Sequence, residues 1–339
     1  TIINNKKMMN NIITLDSRPV GKPQLSNFKF ITEPMPQAGE NEVLLKTLYV
    51  SVDPYLRGRM NDSKSYIPPF QLHEPIQSGI IAEVIESNHP EFSKGDFVSG
   101  GLQWKEYQTS NGTGLSKVDA KAAPLSAYLG ALGMTGLTAY LGLTEIGKPK
   151  AGETIVVSGA AGAVGSIVGQ IGKILGCRVV GIAGTDEKTE LLKSRFGFDE
   201  AINYKTTKNM KDAIQEACPD GVDIYFDNVG GNISDAVMLN LNRFARVAVC
   251  GAISLYNTTE AQTGLRLDTI LVTKSVLMRG FIVSEFAAKA PEAIKQLTGW
   301  LKDEKLNYSE TVVEGFNNIP AAFLDLFEGK NEGKMVVKI

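Results

Sequence analysis

Apolar and polar positions change rhythm partway along this chain. From about residue 10 to residue 130 the rhythm is short and strand-like. Residues 41–52, 80–87 and 96–99 read as β-strands punctuated by Gly and Pro, with Lys94-Gly95-Asp96 as a turn. Many short strands of this kind predict a small β-barrel. From Leu125 the chain turns rich in Ala, Leu and Gly, and residues 133–143 read as a helix. Pro149 and Gly152 mark a boundary. Apolar runs then alternate with helical stretches. Strands are expected at 155–158, 178–183, 224–226 and 246–250, and helices at 163–175, 187–196 and 233–241. Such alternation predicts a parallel sheet covered on both faces. Helices at 290–302 and 320–327 lead to a terminal strand from Lys334 that resembles the first region more than the second. The expected layout is an α/β domain, residues 131–309, inserted into a β domain, residues 1–130 and 310–339.

Composition agrees with a folded chain of two domains. The 339 residues are 43% hydrophobic and 21% charged, which excludes global disorder. A chain of this length hides about 75% of its extended surface on folding, so it needs no disulfide or metal staple. The formal charge is −2, which argues against nucleic acid as a partner. The long uncharged run at 154–172 has roughly the length of a membrane span, but its glycines make it a strand, turn and helix. No membrane association is expected. Lys6 and Lys7 precede a polar stretch, so no targeting peptide is read. Thr1 is not an initiator, and Met8 or Met9 is the expected start. Three cysteines, Cys177, Cys218 and Cys250, cannot complete a pairing, which points to a reducing, cytoplasmic compartment.

The sharpest chemical signal is Ser158-Gly159-Ala160-Ala161-Gly162-Ala163-Val164-Gly165. It follows an expected strand and opens an expected helix. Gly159 or Ala160 permits a tight turn, Gly162 lets the backbone approach a pyrophosphate, and Gly165 lets the helix pack on the strand. The helix start offers N–H groups and a positive dipole end to phosphates. About 20 residues on, where an NAD site would hold Asp or Glu against the ribose, this chain has Ala183-Gly184-Thr185. Glycine leaves room for a 2′-phosphate, Lys188 can neutralise it, and Tyr204 can add a donor. Asp186 and Glu187 oppose that reading by charge. The balance favours NADP(H).

Other chemistries lack their residues. No cysteine precedes Cys177, and the only histidines are His73 and His89, so no catalytic zinc site is expected. His73 and His89 read as loop residues beside prolines. No Gly-x-Ser-x-Gly nucleophile turn occurs. Substrate activation must rest on hydroxyls, backbone donors and the cofactor.

Six blocks carry a family resemblance. They are Ser51-Val-Asp-Pro-Tyr-Leu-Arg-Gly-Arg-Met60, Gly133-Met-Thr-Gly-Leu-Thr-Ala-Tyr140, the glycine turn, Tyr225-Phe-Asp-Asn-Val-Gly-Gly231 and Cys250-Gly-Ala-Ile-Ser-Leu-Tyr-Asn257, with Gly329-Lys-Asn-Glu-Gly-Lys334 closing the set. Together they resemble the zinc-independent medium-chain dehydrogenases/reductases, in the group of NADPH-dependent alkenal/one oxidoreductases. The resemblance runs from about Asn11 to the end. It implies a GroES-like β-barrel catalytic domain and a Rossmann doubly wound parallel-sheet domain that binds NADP(H). It implies cofactor contacts at Gly162, Ala163, Val164, Gly165, Lys188, Tyr204, Asn228, Cys250, Gly251, Ala252, Ile253, Ser254, Tyr256, Phe281, Ile282, Val283 and Asn331. Cys177-Arg178 stands where relatives often have Cys-Lys, which keeps the charge.

The implied reaction is reduction of a carbon–carbon double bond conjugated to a carbonyl. Hydride adds to the β-carbon, and the oxyanion that develops needs a donor. Candidates for that donor are the Tyr256 phenol and the nicotinamide ribose 2′-OH, with Tyr55 a second catalytic candidate that lines or closes the pocket, and a proton must finally reach the α-carbon from solvent or a hydroxyl. Arg57 and Arg59 are expected to brace a domain interface, and Met134 and Phe281 to form apolar wall or core. The loop at 254–266 is expected to border a small enal or enone substrate. A homodimer is expected from the resemblance. The competing readings are an NADPH:quinone oxidoreductase and a non-catalytic NADPH-binding sensor.

Overall fold

A computed structural model describes residues 9–339 of the protein. The expected start at Met8 or Met9 falls at the edge of that range, and residues 1–8 lie outside it. The chain divides into two units. Unit 1 runs up to Leu129 and adds Val312–Lys330 and Met335–Ile339; unit 2 holds Gly130–Thr311 and Asn331–Lys334. The last thirty residues, expected as one piece, are therefore shared, and the short stretch Asn331–Lys334 goes with unit 2.

Unit 1 is antiparallel in its paired strands. Met9–Leu15 pairs with Phe28–Pro34 in a two-stranded sheet. A larger sheet follows the path Glu310–Glu314, Lys334–Lys338, Val43–Ser51, Gln77–Ser87, Phe97–Gln103 and Ser116–Val118, with Tyr107–Ser110 pairing beside Val43–Ser51. This is the GroES-like β domain that the sequence predicts. Its core holds Trp104, fully buried, whose indole Nε1 donates to Ser78 Oγ at 2.8 Å. That bond removes the cost of burying an indole N–H. Phe28 stacks on Trp104 and meets Phe323 edge-on, both at 6.3 Å.

Unit 2 begins with the helix Met134–Leu141, which continues as a π-helical turn over Gly142–Gly147. The single helix expected at 133–143 is therefore extended and distorted at its end. A Cβ on Gly142 would lie 2.4 Å from Cζ of Phe281, so the ring occupies the space the glycine leaves. Six strands follow: β1 (Thr154–Ser158), β2 (Arg178–Ala183), β3 (Glu200–Asn203), β4 (Val222–Asp227), β5 (Leu241–Val249) and β6 (Leu277–Gly280). The helices are α1 (Gly165–Ile174), α2 (Asp186–Ser194), α3 (Met210–Ala217), α4 (Gly231–Met238), α5 (Asp268–Thr273) and α6 (Ala290–Lys302). The sheet order is β3-β2-β1-β4-β5-β6, parallel at every step. This is the doubly wound Rossmann order, whose switch point lies between β1 and β4.

Burial follows position in the sheet. All five residues of the central β1 are buried, and all four of the edge strand β6 are exposed. The strands missing from the sequence reading, β3 and β6, are the two edges. An edge strand has one paired side and little apolar covering, so it leaves no apolar run to read.

Close packing of α1 on the sheet depends on small residues. A Cβ on Gly169 would fall 1.9 Å from Cζ of Phe198. Gly169→Ala is expected to lower the stability of the protein by about 1–3 kcal/mol, the usual cost of overpacking. Urea unfolding followed by circular dichroism measures it, and a midpoint equal to that of the unmutated chain contradicts this packing.

Candidate cofactor and active site

The glycine turn sits at the carboxyl end of β1. Gly159 has φ +58°, a conformation that disfavours any side chain. A Cβ on Gly165 would lie 2.3 Å from the Gly159 carbonyl oxygen, so α1 can start this close to the strand only without one. The Gly162 N–H donates to Gly159 O at 3.1 Å. The N–H groups of Ala163, Val164 and Gly165 have no acceptor within the described chain, and no side chain caps this helix. Three unspent donors at a helix start, two of them on partly exposed residues, suit a pyrophosphate in number, chemistry and dipole sign. The segment Asn331–Lys334 lies against this turn. Gly333 N–H donates to Ala161 O at 2.8 Å, and Gly162 bridges Gly333 in parallel register. Asn331 Nδ2 closes its own turn by donating to Gly333 O at 2.9 Å.

The neighbouring strand β4 ends on a buried carboxylate that the sequence reading passed over. Asp227 is 2% exposed. Its Oδ1 accepts from Ser158 Oγ at 2.9 Å, Tyr225 Oη at 2.9 Å, Val229 N at 3.0 Å and Gly230 N at 2.9 Å. Its backbone carbonyl accepts from Cys250 N at 2.8 Å and Gly251 N at 3.1 Å. One residue thus ties the end of β1, the turn before α4 and the loop after β5. Asn228 adds to the tie: Nδ2 donates to Ser158 O at 2.8 Å and its N–H to Ser158 Oγ at 2.9 Å. Its Oδ1 makes no bond among the described residues. Burial, and then the charge of Asp227, push the Tyr225 phenol well above its ordinary range, so it stays a donor.

At the end of β2, Gly184 lies under the Tyr204 ring. A Cβ there would be 3.0 Å from Cε1 and 3.1 Å from the phenol oxygen. Thr185 caps α2, its Oγ1 accepting from Lys188 N at 3.2 Å. Burial, and then the like charge of Lys205, lower the pKa of the Lys188 ammonium, while Glu332 opposes the shift. Asp186, whose charge counted against a phosphate here, accepts from Asn203 Nδ2 at 2.8 Å. That acid is therefore held by the residue before Tyr204.

The loop after β5 folds back on itself. Cys250, Gly251, Ala252, Ile253, Ser254 and Tyr256 leave the strand through a short 3₁₀ turn, Ile253–Leu255. The Tyr256 phenol oxygen accepts from Ala252 N–H at 3.2 Å, and a Cβ on Gly251 would lie 2.9 Å from it. Burial is the main cause that raises the Tyr256 phenol above its ordinary range; Ala252 lowers it, and Cys250 and Asp227 add to the rise. The phenol keeps its proton at neutral pH and has no acceptor for it among the described residues. Burial, then Asp227, push the Cys250 thiol up to about 12, which leaves it unreactive. Beside this loop lies a cavity of about 350 Å³, whose lining includes Asn232, Asp235, Ser254, Leu255, Gln262 and Thr263.

Comparison with known proteins places this geometry. Residues 11–118 match the family model for the N-terminal domain of oxidoreductase, and residues 163–302 that for zinc-binding dehydrogenase. An NADPH-dependent curcumin reductase of Escherichia coli (strain K12) is 42% identical over 98% of this chain and 98% of its own. A 2-alkenal reductase (NADP(+)-dependent) of Nicotiana tabacum is 46% identical over 89% of this chain and 88% of its own. The crystal structure of CurA in complex with NADPH from Vibrio vulnificus superposes with a TM-score of 0.93 at 43% identity, over 97% of this chain and 98% of that one.

The chain is a zinc-independent medium-chain dehydrogenase/reductase of the alkenal/one oxidoreductase group.

This reductase is an NADP-dependent oxidoreductase, with NADP(H) as its cofactor. Among the described residues, no three of His, Cys, Asp and Glu gather as a metal group, and no helix is long and apolar enough to cross a membrane. His73 is an exposed loop residue at φ +65°, with Nδ1 3.4 Å from Asp16. His89 Nδ1 accepts from Glu91 N at 3.1 Å in a turn.

Three further candidates sit apart from the chemistry their residue types suggest. Phe281 is 6% exposed and meets Phe226 and Phe286, so its side chain is core. Contacts from Phe281, Ile282 and Val283 to a cofactor would be made by backbone, and the Ile282 N–H already donates to Glu285 Oε1 at 3.2 Å. Met134 is 40% exposed. Tyr55 packs against the core of unit 1, and burial, then Asp53, raise its phenol strongly. Arg57 donates to the carbonyls of Pro19 and Gly21, and Arg59 donates to Pro68 O and lies 4.0 Å over the Phe70 ring. Both arginines fasten loops within unit 1.

Asp227→Ala is expected to cost about 3–5 kcal/mol of stability, because it strips a buried hub from several donors at once. Asp227→Asn keeps an acceptor oxygen and is expected to cost less. Thermal unfolding compares them, and equal midpoints for both variants and the unmutated chain would show that the hub carries no structural load.

Proposed function

We propose that this reductase saturates the carbon–carbon double bond of α,β-unsaturated aldehydes and ketones. The observation that carries the reading is its 46% identity to a 2-alkenal reductase across most of both chains. Unit 2 is the NADP-binding domain and unit 1 the catalytic domain in this reading. When bound, the cofactor supplies the hydride that adds to the β-carbon. Ala163, Val164 and Gly165 donate N–H groups to its pyrophosphate. Lys188 and Tyr204 take the ribose phosphate, and Asn228 offers its unused Oδ1. Asn331 holds the closing segment against the glycine turn. Gly162, the run Cys250, Gly251, Ala252, Ile253 and Ser254, and the backbone of Phe281, Ile282 and Val283 complete the cradle.

Tyr256 acts as the oxyanion's donor, and a proton then reaches the α-carbon from solvent or a hydroxyl, which completes the saturated carbonyl. Its phenol is protonated at neutral pH, and its oxygen is already held by Ala252 N–H, so the O–H is pre-set and unspent. Donors positioned before the reaction give most of the stabilisation available to a developing enolate. Tyr55 is the second catalytic candidate, on unit 1, where its ring packs against that unit's core. The cavity beside Ser254 receives the part of the substrate beyond the enone.

The protein works as a homodimer in the cytoplasm. The edge strand β6 supports the dimer: Leu277 is 54% exposed, and Val272 on the adjoining α5 is 79% exposed. An unpaired apolar edge of this kind invites a second chain. Three unpaired thiols support a reducing compartment.

Turnover is read from NADPH absorbance with trans-2-hexenal, 3-nonen-2-one, menadione and a saturated aldehyde, with NADH in parallel. Fast NADPH-dependent reduction of the enal and enone to the saturated carbonyl is expected. Quinone-only turnover would move the reaction to quinone reduction. No turnover with tight NADPH binding would make the protein a sensor.

Tyr256→Phe is expected to lower kcat by about 10²–10³ with NADPH affinity kept. Because burial raises the phenol, activity should hold across neutral pH and fall only above the ordinary tyrosine value of about 10. Full kcat in the phenylalanine variant would remove Tyr256 from the chemistry.

A further inference from the structure

The phosphate that distinguishes NADP(H) from NAD(H) carries about two negative charges at neutral pH. One ammonium does not neutralise it. The locality of Gly184 holds a second cation that the residue assignments so far leave out. Lys205 directly follows Tyr204 at the exit of β3. Its N–H donates to Asn203 Oδ1 at 3.0 Å, and Asn203 Nδ2 donates to Asp186 Oδ1 at 2.8 Å. One asparagine thus fixes the Tyr204-Lys205 turn against the first turn of α2. Tyr204 N–H donates to Ala183 O at 3.1 Å, which fixes the same turn to the end of β2. Lys205 is exposed, and its ammonium pairs with no described carboxylate.

Lys188 and Lys205 act on each other as like charges, and two of the three acids nearby are held by other partners. Lys188 feels the like charge of Lys205. Asp186 is bound by Asn203, and Glu187 lies on the same first turn of α2. Glu332 also reaches Lys188, but its carboxylate accepts from Ser309 Oγ at 2.5 Å and lies 3.8 Å from Arg195. Two ammonium groups held in one locality repel, and a dianion between them reverses the sign of that interaction.

We propose that Lys205 is the second cation of the 2′-phosphate site, clasping the phosphate with Lys188 across Tyr204, and that it sets the preference for NADP(H) over NAD(H). The assignment rests on Lys188 and Tyr204 as the phosphate residues. It makes Lys205 a specificity residue that is remote from the transferred hydride and acts on cofactor choice alone.

The test is binding, without turnover. Dissociation constants for NADPH, NADH, 2′,5′-ADP and 5′-AMP are measured by calorimetry on the full chain and on Lys205→Gln, Lys205→Arg and Lys188→Gln. Lys205→Gln should weaken NADPH and 2′,5′-ADP about tenfold, in the range of one charge-assisted contact. It should leave NADH and 5′-AMP unchanged, and Lys205→Arg should bind like the unmutated chain. A pH series gives a second readout. Lys188 binds the phosphate as a cation, so affinity is full below its lowered pKa and is lost as pH rises through it. Removing Lys205 removes a like charge, which raises that pKa. The alkaline loss of NADPH affinity should therefore move to higher pH in Lys205→Gln. Unchanged NADPH affinity in that variant overturns the proposal, and so does an equal loss for NADH, which would mark a structural role. If Lys188→Gln also binds 2′,5′-ADP normally, the phosphate lies elsewhere and the reading beneath the proposal falls with it.

Discussion

The carboxylate of Asp227 organises the switch point of the Rossmann sheet. A buried charge is tolerated only when its lone pairs are occupied. Here Oδ1 gathers two hydroxyls and two backbone N–H groups. Those donors come from the ends of β1 and β4 and from the turn before α4. The same residue's carbonyl holds the first two N–H groups of the loop after β5. Where the strand order reverses, the crevice between neighbouring strands opens. Asp227 fixes the geometry of that crevice, so the residues proposed to touch the cofactor inherit their positions from a residue beneath them.

The glycine turn and the closing segment depend on the same economy. Gly165 lets α1 start beside the Gly159 carbonyl, and this leaves three N–H groups of the first turn unspent. Residues 331–334 then cover one side of the turn through Gly333. The chain thus returns to the glycine turn with its C-terminal stretch after leaving unit 2. Asn331 contributes by holding that stretch in its turn, and its amide donates within the turn.

The fold was legible where burial is two-sided. β1, β2, β4 and β5 are covered on both faces, so apolar runs mark them, and the predicted alternation of strand and helix gives the parallel sheet directly. β3 is Glu200-Ala-Ile-Asn, half polar and only four residues long, and β6 is an exposed edge. Neither leaves a periodic trace. The cofactor turn was legible because its glycines serve a local backbone path that neighbours in sequence define. Asp227 was not, because its role is a sum of bonds to residues as distant as Ser158. The arginines of the Asp-Pro-Tyr-Leu-Arg-Gly-Arg block show the converse. The sequence marks them as special, and only their carbonyl partners show that they fasten loops.

Tyr256 shows how backbone and side chain divide the work. Gly251 is needed because the phenol oxygen occupies the place of its Cβ, and the Ala252 N–H fills one side of that oxygen. The loop therefore positions the tyrosine, and the tyrosine closes the loop. A phenol held in this way loses little freedom when a substrate arrives, because its rotamer is already chosen. Burial keeps its proton on, and the charge of Asp227 acts in the same direction. The carboxylate that shapes the cofactor crevice thus also biases the group proposed to answer the enolate. A single buried carboxylate thus bears on the end of β1, the turn before α4 and the tyrosine of the loop after β5.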